Sequence, residues 1–228
     1  MFVVTADQIG SRGHDDVAGE ARDSINERYG PALALPADRN AGDEIQMLTG
    51  DPTTALELVL DLTRTGKWSV GLGCGVVRKP LPQATREASG PAFFSARDAV
   101  LRAKRRQTRF AVDVPAEPHT DQTERANTGI AAAAHADSLS TAAQNTESLI
   151  DLLLVIRARR TDPGWELFDL LASGLTQQDA ATRLSISPPA ASSRAHAANI
   201  KQELAAIPAL TKLLQDLDQL ATETDGHP

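Results

Sequence analysis

The nonapeptide NAGDEIQML, residues 40–48, sets two carboxylates directly after a Gly and then enters an apolar run. A tight turn feeding a strand accounts for Gly42 and for Ile45, Met47 and Leu48. It leaves Asp43 and Glu44 unexplained, because Asp is a poor strand former. Either they are solvated turn residues or they hold something positive. Upstream, PALALPA (31–37) supplies a second apolar arm, so the two segments read as a hairpin turning near Ala41-Gly42. Pro36 cannot donate to a ladder, which makes the first arm an edge strand.

Working outward, FVVTAD (2–7) is β-branched and aromatic and breaks at QIGSRGH, a short buried strand followed by a loop. From His14 to Tyr29, Val17, Ala21, Ile25 and Tyr29 fall four apart with charges between them, as on a helix burying one stripe. Downstream, Asp51-Pro52 offers an N-cap and a first helical residue. Leu56, Val59, Leu60 and Thr63 form that helix's buried stripe, and Gly66 ends it.

KWSVGLGCGVV (67–77) alternates: Trp68, Val70, Leu72, Cys74 and Val76 share one face, Ser69, Gly71, Gly73 and Gly75 the other. Three glycines on one face mean that backbone or ligand approaches closely there, or that the strand bends. A helix over 90–106 and the strand TRFAVDV (108–114) close this half. The order β-α-β-β-α-β-α-β predicts an α+β fold, a ferredoxin-like palm with one extra helix and strand. In that topology Asp7, ending the first strand, and Asp43, opening the strand after the hairpin, meet at one edge of the sheet.

Composition sets the outer bounds. The 228 residues suffice for one large domain or two small ones. A net charge of −7 argues against a general nucleic-acid binder, so any DNA contact needs a local patch. Cys74 is the only cysteine, which excludes an internal disulfide and a Cys-based zinc cage. The opening MFVVTAD lacks a basic leader segment. LIDLLLVI (149–156) carries Asp151 and falls well short of the ~20 apolar residues that cross a bilayer. A cytoplasmic protein without membrane insertion is expected.

From Val114 the composition shifts to Pro, Thr, Asn, His and a run of Ala, which places a linker at 114–139 between a palm domain (1–113) and a helical domain (140–228). In the helical part, Leu149, Leu152, Leu153 and Ile156 form one stripe and Trp165, Phe168, Leu171 and Ala172 the next. LTQQDAATRLSISPPAASSRAHAANIKQEL (175–204) then resembles the helix-turn-helix of bacterial repressors and of sigma-factor region four, placed at about 175–203. Thr176 caps a short helix burying Ala180, Ala181 and Leu184; Ile186 sits in the turn, and a second helix starts at Pro188 or Pro189. Ser185 stands where the turn Gly is usual and Ala191 where a buried Val is usual.

A second helix lying in a major groove would present Pro189, Ala190, Ser192, Ser193 and Arg194 to base edges. Of these only Arg194 can grip guanine in bidentate fashion. Thr176, Gln177 and Arg183 would hold phosphates. The cationic excess over 157–201 is mild, so a homodimer is expected on double-stranded DNA.

ADQIGSR (6–12), GDEIQ (42–46) and REASGPAFFSARDAV (86–100) together resemble the SatD family, whose members carry a strand ending D-x-x-G-S-R, a G-D-E-[FI]-Q hairpin and a G-x-A-F-x-x-A-R helix. With the helix-turn-helix, the resemblance spans nearly the whole chain. The strand and hairpin motifs are also similar to class III nucleotide cyclases, in which two such aspartates hold divalent metals on a nucleotide's phosphates. That resemblance implies Asp7 and Asp43 as ligands of Mg²⁺ or Mn²⁺, hard ions suited to carboxylate oxygens. It further implies a nucleotide phosphate near Gln8, Ile9, Gly10 and Arg12. The later-helix Asn and Arg of cyclases have no counterpart: the matching positions are Phe94 and Asp98, with Arg97 one place off.

The expected function is a DNA-binding transcriptional regulator with a cyclase-like sensor or dimerisation domain, responsive to a nucleotide effector. The alternative is a metal-dependent nucleotide-binding or nucleotide-processing enzyme using Asp7 and Asp43.

Overall fold

FVVTADQ forms β1 (Phe2–Gln8), the central strand of a five-stranded mixed sheet. The computed structural model describes residues 1–10, 17–40, 42–115 and 129–222. After α1 (Val17–Tyr29) come β2 (Leu35–Arg39) and β3 (Glu44–Thr49), the hairpin read from NAGDEIQML. Then follow α2 (Pro52–Arg64), β4 (Trp68–Cys74), α3 (Pro91–Ala103) and β5 (Phe110–Asp113). The sheet order is β2-β3-β1-β4-β5, with β1 antiparallel to β3 and β4, and β5 parallel to β4. β2 lies at the edge, its register shifting between Leu35 and Asp38 around Pro36, where a missing donor is harmless.

The N-cap of α2 forms as the residues dictate: the Asp51 carboxylate accepts from the amides of Thr53 and Thr54 and from the Thr54 hydroxyl. Burial raises the Asp51 pKa, but these hydrogen bonds outweigh it and hold the group below its ordinary range.

The two sheet faces are covered unequally. Phe2, Val4, Ala6, Ile45, Met47, Val70, Leu72 and Phe110 point into the main core, where α1 and α2 pack. Two later helices complete that core: α4 (Gly129–Arg157) supplies Leu139, Ala143, Ile150, Leu153 and Leu154, and α8 (Ile200–Thr222) supplies Leu210, Leu214, Leu217 and Ala221. On the other face α3 lies directly over β4. A Cβ at Gly71 would overlap the Val100 amide nitrogen and lie 2.6 Å from the Ala96 carbonyl oxygen. At Gly73 an added Cβ would meet the backbone of Ala92 and Ala96. The glycine face of β4 therefore admits a helix backbone, which decides between the two readings of that pattern.

Two helical expectations are corrected. In α4 the buried stripe runs through Ile150, Leu153 and Leu154, while Leu149 and Leu152 are 46% and 58% exposed. Residues 129–139, expected in a linker, open α4, and Leu139 is already in the core; residues 116–128 lie outside the described part of the chain. The sheet and these helices thus share one core. The basic run Arg102–Arg106 fastens them: Arg102 and Arg106 pair with Glu147, and Arg106 also with Asp151, all on the α4 side.

Between α4 and α8 stand α5 (Asp162–Ala172), α6 (Gln177–Arg183) and α7 (Pro188–Ala197). They pack on one another around Leu167, Ala180, Ala195, Ala198 and Ile200, a small core of their own. Among the described residues no helix is long and apolar enough to cross a membrane.

Candidate functional site

Asp7 and Asp43 meet at the same rim of the sheet, as the topology requires: the Gln8 amide donates to the Asp43 carbonyl at 3.1 Å. Asp43 itself lies in the turn just before β3, outside the ladder. Asp7 pairs with Glu44, which the ladder therefore sets on the face that carries Asp7. Ser69 on β4 completes that row.

Each carboxylate on this face has a protein partner. Asp7 Oδ2 accepts from Lys104 Nζ at 2.7 Å, a cation carried on the C-cap of α3. Glu44 Oε1 accepts from Asn40 Nδ2 at 2.8 Å and from Gln46 Nε2 at 3.3 Å, bonds that close the hairpin. Asp38 on β2 pairs with Arg86. The second acid of GDEIQ therefore has a local structural task.

The loop after β1 is likewise engaged. Besides the Gln8 bond, the Ile9 amide donates to the Lys67 carbonyl at 2.8 Å. A nucleotide phosphate would have to compete with both carbonyls. Gly10 takes a φ of 71°, and Arg12 lies outside the described residues. Among the described residues no group of three or more His, Cys, Asp or Glu is placed to hold a metal ion. Mg²⁺ or Mn²⁺ at this rim would rely on water and phosphate for most of its ligands.

The other predicted residues gather on α6 and α7. The Thr176 hydroxyl caps α6 by accepting from the Asp179 amide at 3.2 Å, and Ser187 caps α7 through the Ala190 amide. Ser185 adopts a φ of 55°, the left-handed conformation usually given to Gly, and so carries a cost that a Gly would not. Ala181 and Ala191 are buried, and such small side chains let the helices approach closely.

Pro189, Ala190, Ser192 and Ser193 form an exposed strip on α7; Thr176 and Arg183 are exposed on α6, with Gln177 half-buried. Arg194 is restrained, its NH1 donating to the Pro163 carbonyl at 3.4 Å and lying 3.8 Å from Glu166. To reach a base it would have to leave α5.

One cluster was not singled out as a site from the sequence. Arg157 and Arg160, at the end of α4 and just beyond it, both pair with the single carboxylate of Glu203 on α8. Arg157 NH2 also donates to the Leu60 carbonyl at 3.1 Å, and Arg160 donates to the Ala198 carbonyl through both Nε and NH2. Burial draws the Arg157 pKa below its usual range, with Glu203 opposing the shift. Their spacing resembled a mild cationic excess because nothing in one strand of sequence reveals which arginines turn inward.

No family model, curated protein or solved structure matches this chain.

Proposed function

We propose that this chain is a DNA-binding transcriptional regulator, its reading unit a helix-turn-helix formed by α6 and α7 and its sheet a palm of the ferredoxin-like, cyclase-related kind seen in the SatD resemblance. The observation that carries the proposal is the α6–α7 turn. Caps at Thr176 and Ser187, a left-handed Ser185 and buried alanines together present an exposed strip at the start of α7. The β2-β3-β1-β4 order and its antiparallel pairings support the palm.

The strip is poor in strong base readers, so phosphate contacts from Thr176, Gln177 and Arg183 dominate binding, and a homodimer supplies the second reading helix. The metal-dependent nucleotide alternative at Asp7 and Asp43 has less in its favour, since Lys104 already neutralises Asp7.

The test uses the full chain and fluorescence anisotropy on a mixed-sequence duplex. Binding is expected at low salt, weakening steeply as salt rises. Arg183→Ala should lower affinity across sequences and reduce the salt slope by about one. No binding at about 50 mM salt would remove the regulator reading.

A further inference from the structure

A cleft of about 570 Å³ opens where the end of α2, the start of β4, the loop before β5 and the α4–α5 junction meet. Among the described residues its walls carry five arginines, Arg64, Arg109, Arg157, Arg159 and Arg160, and no carboxylate. On a chain of net charge −7, that concentration of cations is a local reversal of sign. Among the described residues these five form ion pairs with two acids: Arg64 with Asp169, and Arg157 and Arg160 jointly with Glu203.

The deepest two groups set the chemistry. The side chains of Arg157 and Arg160 are 5% and 0% exposed, and one carboxylate serves both. A buried cation without a full counter-charge is costly, and so is a buried donor without an acceptor. Among the described residues, Arg157 Nε and Arg160 NH1 have no acceptor. Trp165 offsets part of the cost, its ring lying 4.1, 4.7 and 4.4 Å from the guanidinium carbons of Arg64, Arg157 and Arg160. A ring face attracts cations but does not neutralise them.

Arg109 adds a further sign of a built site: its backbone holds a φ of 55°, a conformation that costs a bulky residue energy and recurs at ligand clamps. Guanidinium forks match the oxygens of phosphate, and the cleft's volume lies in the range of small-molecule sites.

We propose that this arginine-walled cleft binds a small phosphate-bearing anion of up to nucleotide size. The site does not rest on the DNA reading, whose contacts lie on α6 and α7.

The chain's own tryptophans test it. Both of them, Trp68 and Trp165, line the cleft, so intrinsic fluorescence reports its occupancy. Full-length protein is titrated with inorganic pyrophosphate at ionic strength held constant with sodium chloride. A saturable change with half-saturation below ~1 mM is expected, together with a rise in the thermal midpoint.

The double variant Arg109→Gln, Arg159→Gln alters the wall without touching the buried Glu203 cluster. It should keep the wild-type circular dichroism and weaken half-saturation at least ~10-fold. A fluorescence response that never saturates up to ~20 mM pyrophosphate overturns the proposal. So does a double variant that titrates like wild type. A tryptophan response to duplex DNA at equal phosphate concentration, without one to pyrophosphate, would make the cleft part of a nucleic-acid surface and also overturn it.

Discussion

Gly71 shows how much one hydrogen atom in place of a methyl group can decide. A Cβ there would sit 2.6 Å from the Ala96 carbonyl oxygen, and backbone cannot yield as a side chain can. Gly71→Ala is expected to lower stability by ~3 kcal/mol or more, at the upper end of overpacking costs, read as the midpoint shift in urea unfolding. An unchanged midpoint would mean that α3 is not seated on β4 as described. The alternation of KWSVGLGCGVV was legible in the sequence, and so was the need for close approach. What approaches was not, because a ligand and a helix backbone impose the same demand for a missing side chain. Asp43 and Glu44 show a similar limit. Their place at the strand mouth was readable, but which acid shares a face with Asp7 depends on a register that no composition reveals.

At the scale of elements, the tie between α4 and α8 runs through Glu203, which is 2% exposed and serves two arginines. Glu203→Gln keeps the shape and removes the charge, leaving two buried guanidinium groups without a carboxylate. The expected loss is ~3–5 kcal/mol of unfolding free energy, measured by denaturant titration. A loss below ~1 kcal/mol would show that the rings of Trp165 and Phe168, the latter centred 5.6 and 4.6 Å from the guanidinium carbons of Arg157 and Arg160, together with the carbonyls of Leu60 and Ala198, suffice.

Helix boundaries were largely foreseeable, since caps such as Asp51 and Thr176 and breakers such as Gly66 act locally. The buried face of α4 was not. Its apolar residues occur on several sides, and the stripe through Leu149 and Leu152 was as regular in sequence as the one through Ile150, Leu153 and Leu154 that the core selected.

Across the whole molecule, the change in composition after Val114 suggested two units, yet the core does not divide there. Ile150, Leu153 and Leu154 of α4 and Leu210, Leu214 and Leu217 of α8 lie in one cluster with Phe2, Val4 and Met47 of the sheet. A fragment of residues 140–222 would present those leucines and isoleucines to water. It is expected to bind a hydrophobic dye, to associate as concentration rises and to unfold without a sharp transition. A cooperative, two-state transition in that fragment would show that the helices fold without the sheet. Composition misleads here because it records what a segment is made of, whereas burial depends on which distant segment arrives to cover it.

α8 follows α7 after only Ala198 and Asn199 and runs on into the packing beneath the sheet. A head mounted on such a stem has no swivel. Were two copies to sit side by side on a duplex, the gap between their heads would be fixed by rigid geometry rather than by a tether's reach. Inserting or deleting half a helical turn of DNA between the two contact points would then abolish joint engagement instead of stretching to fit.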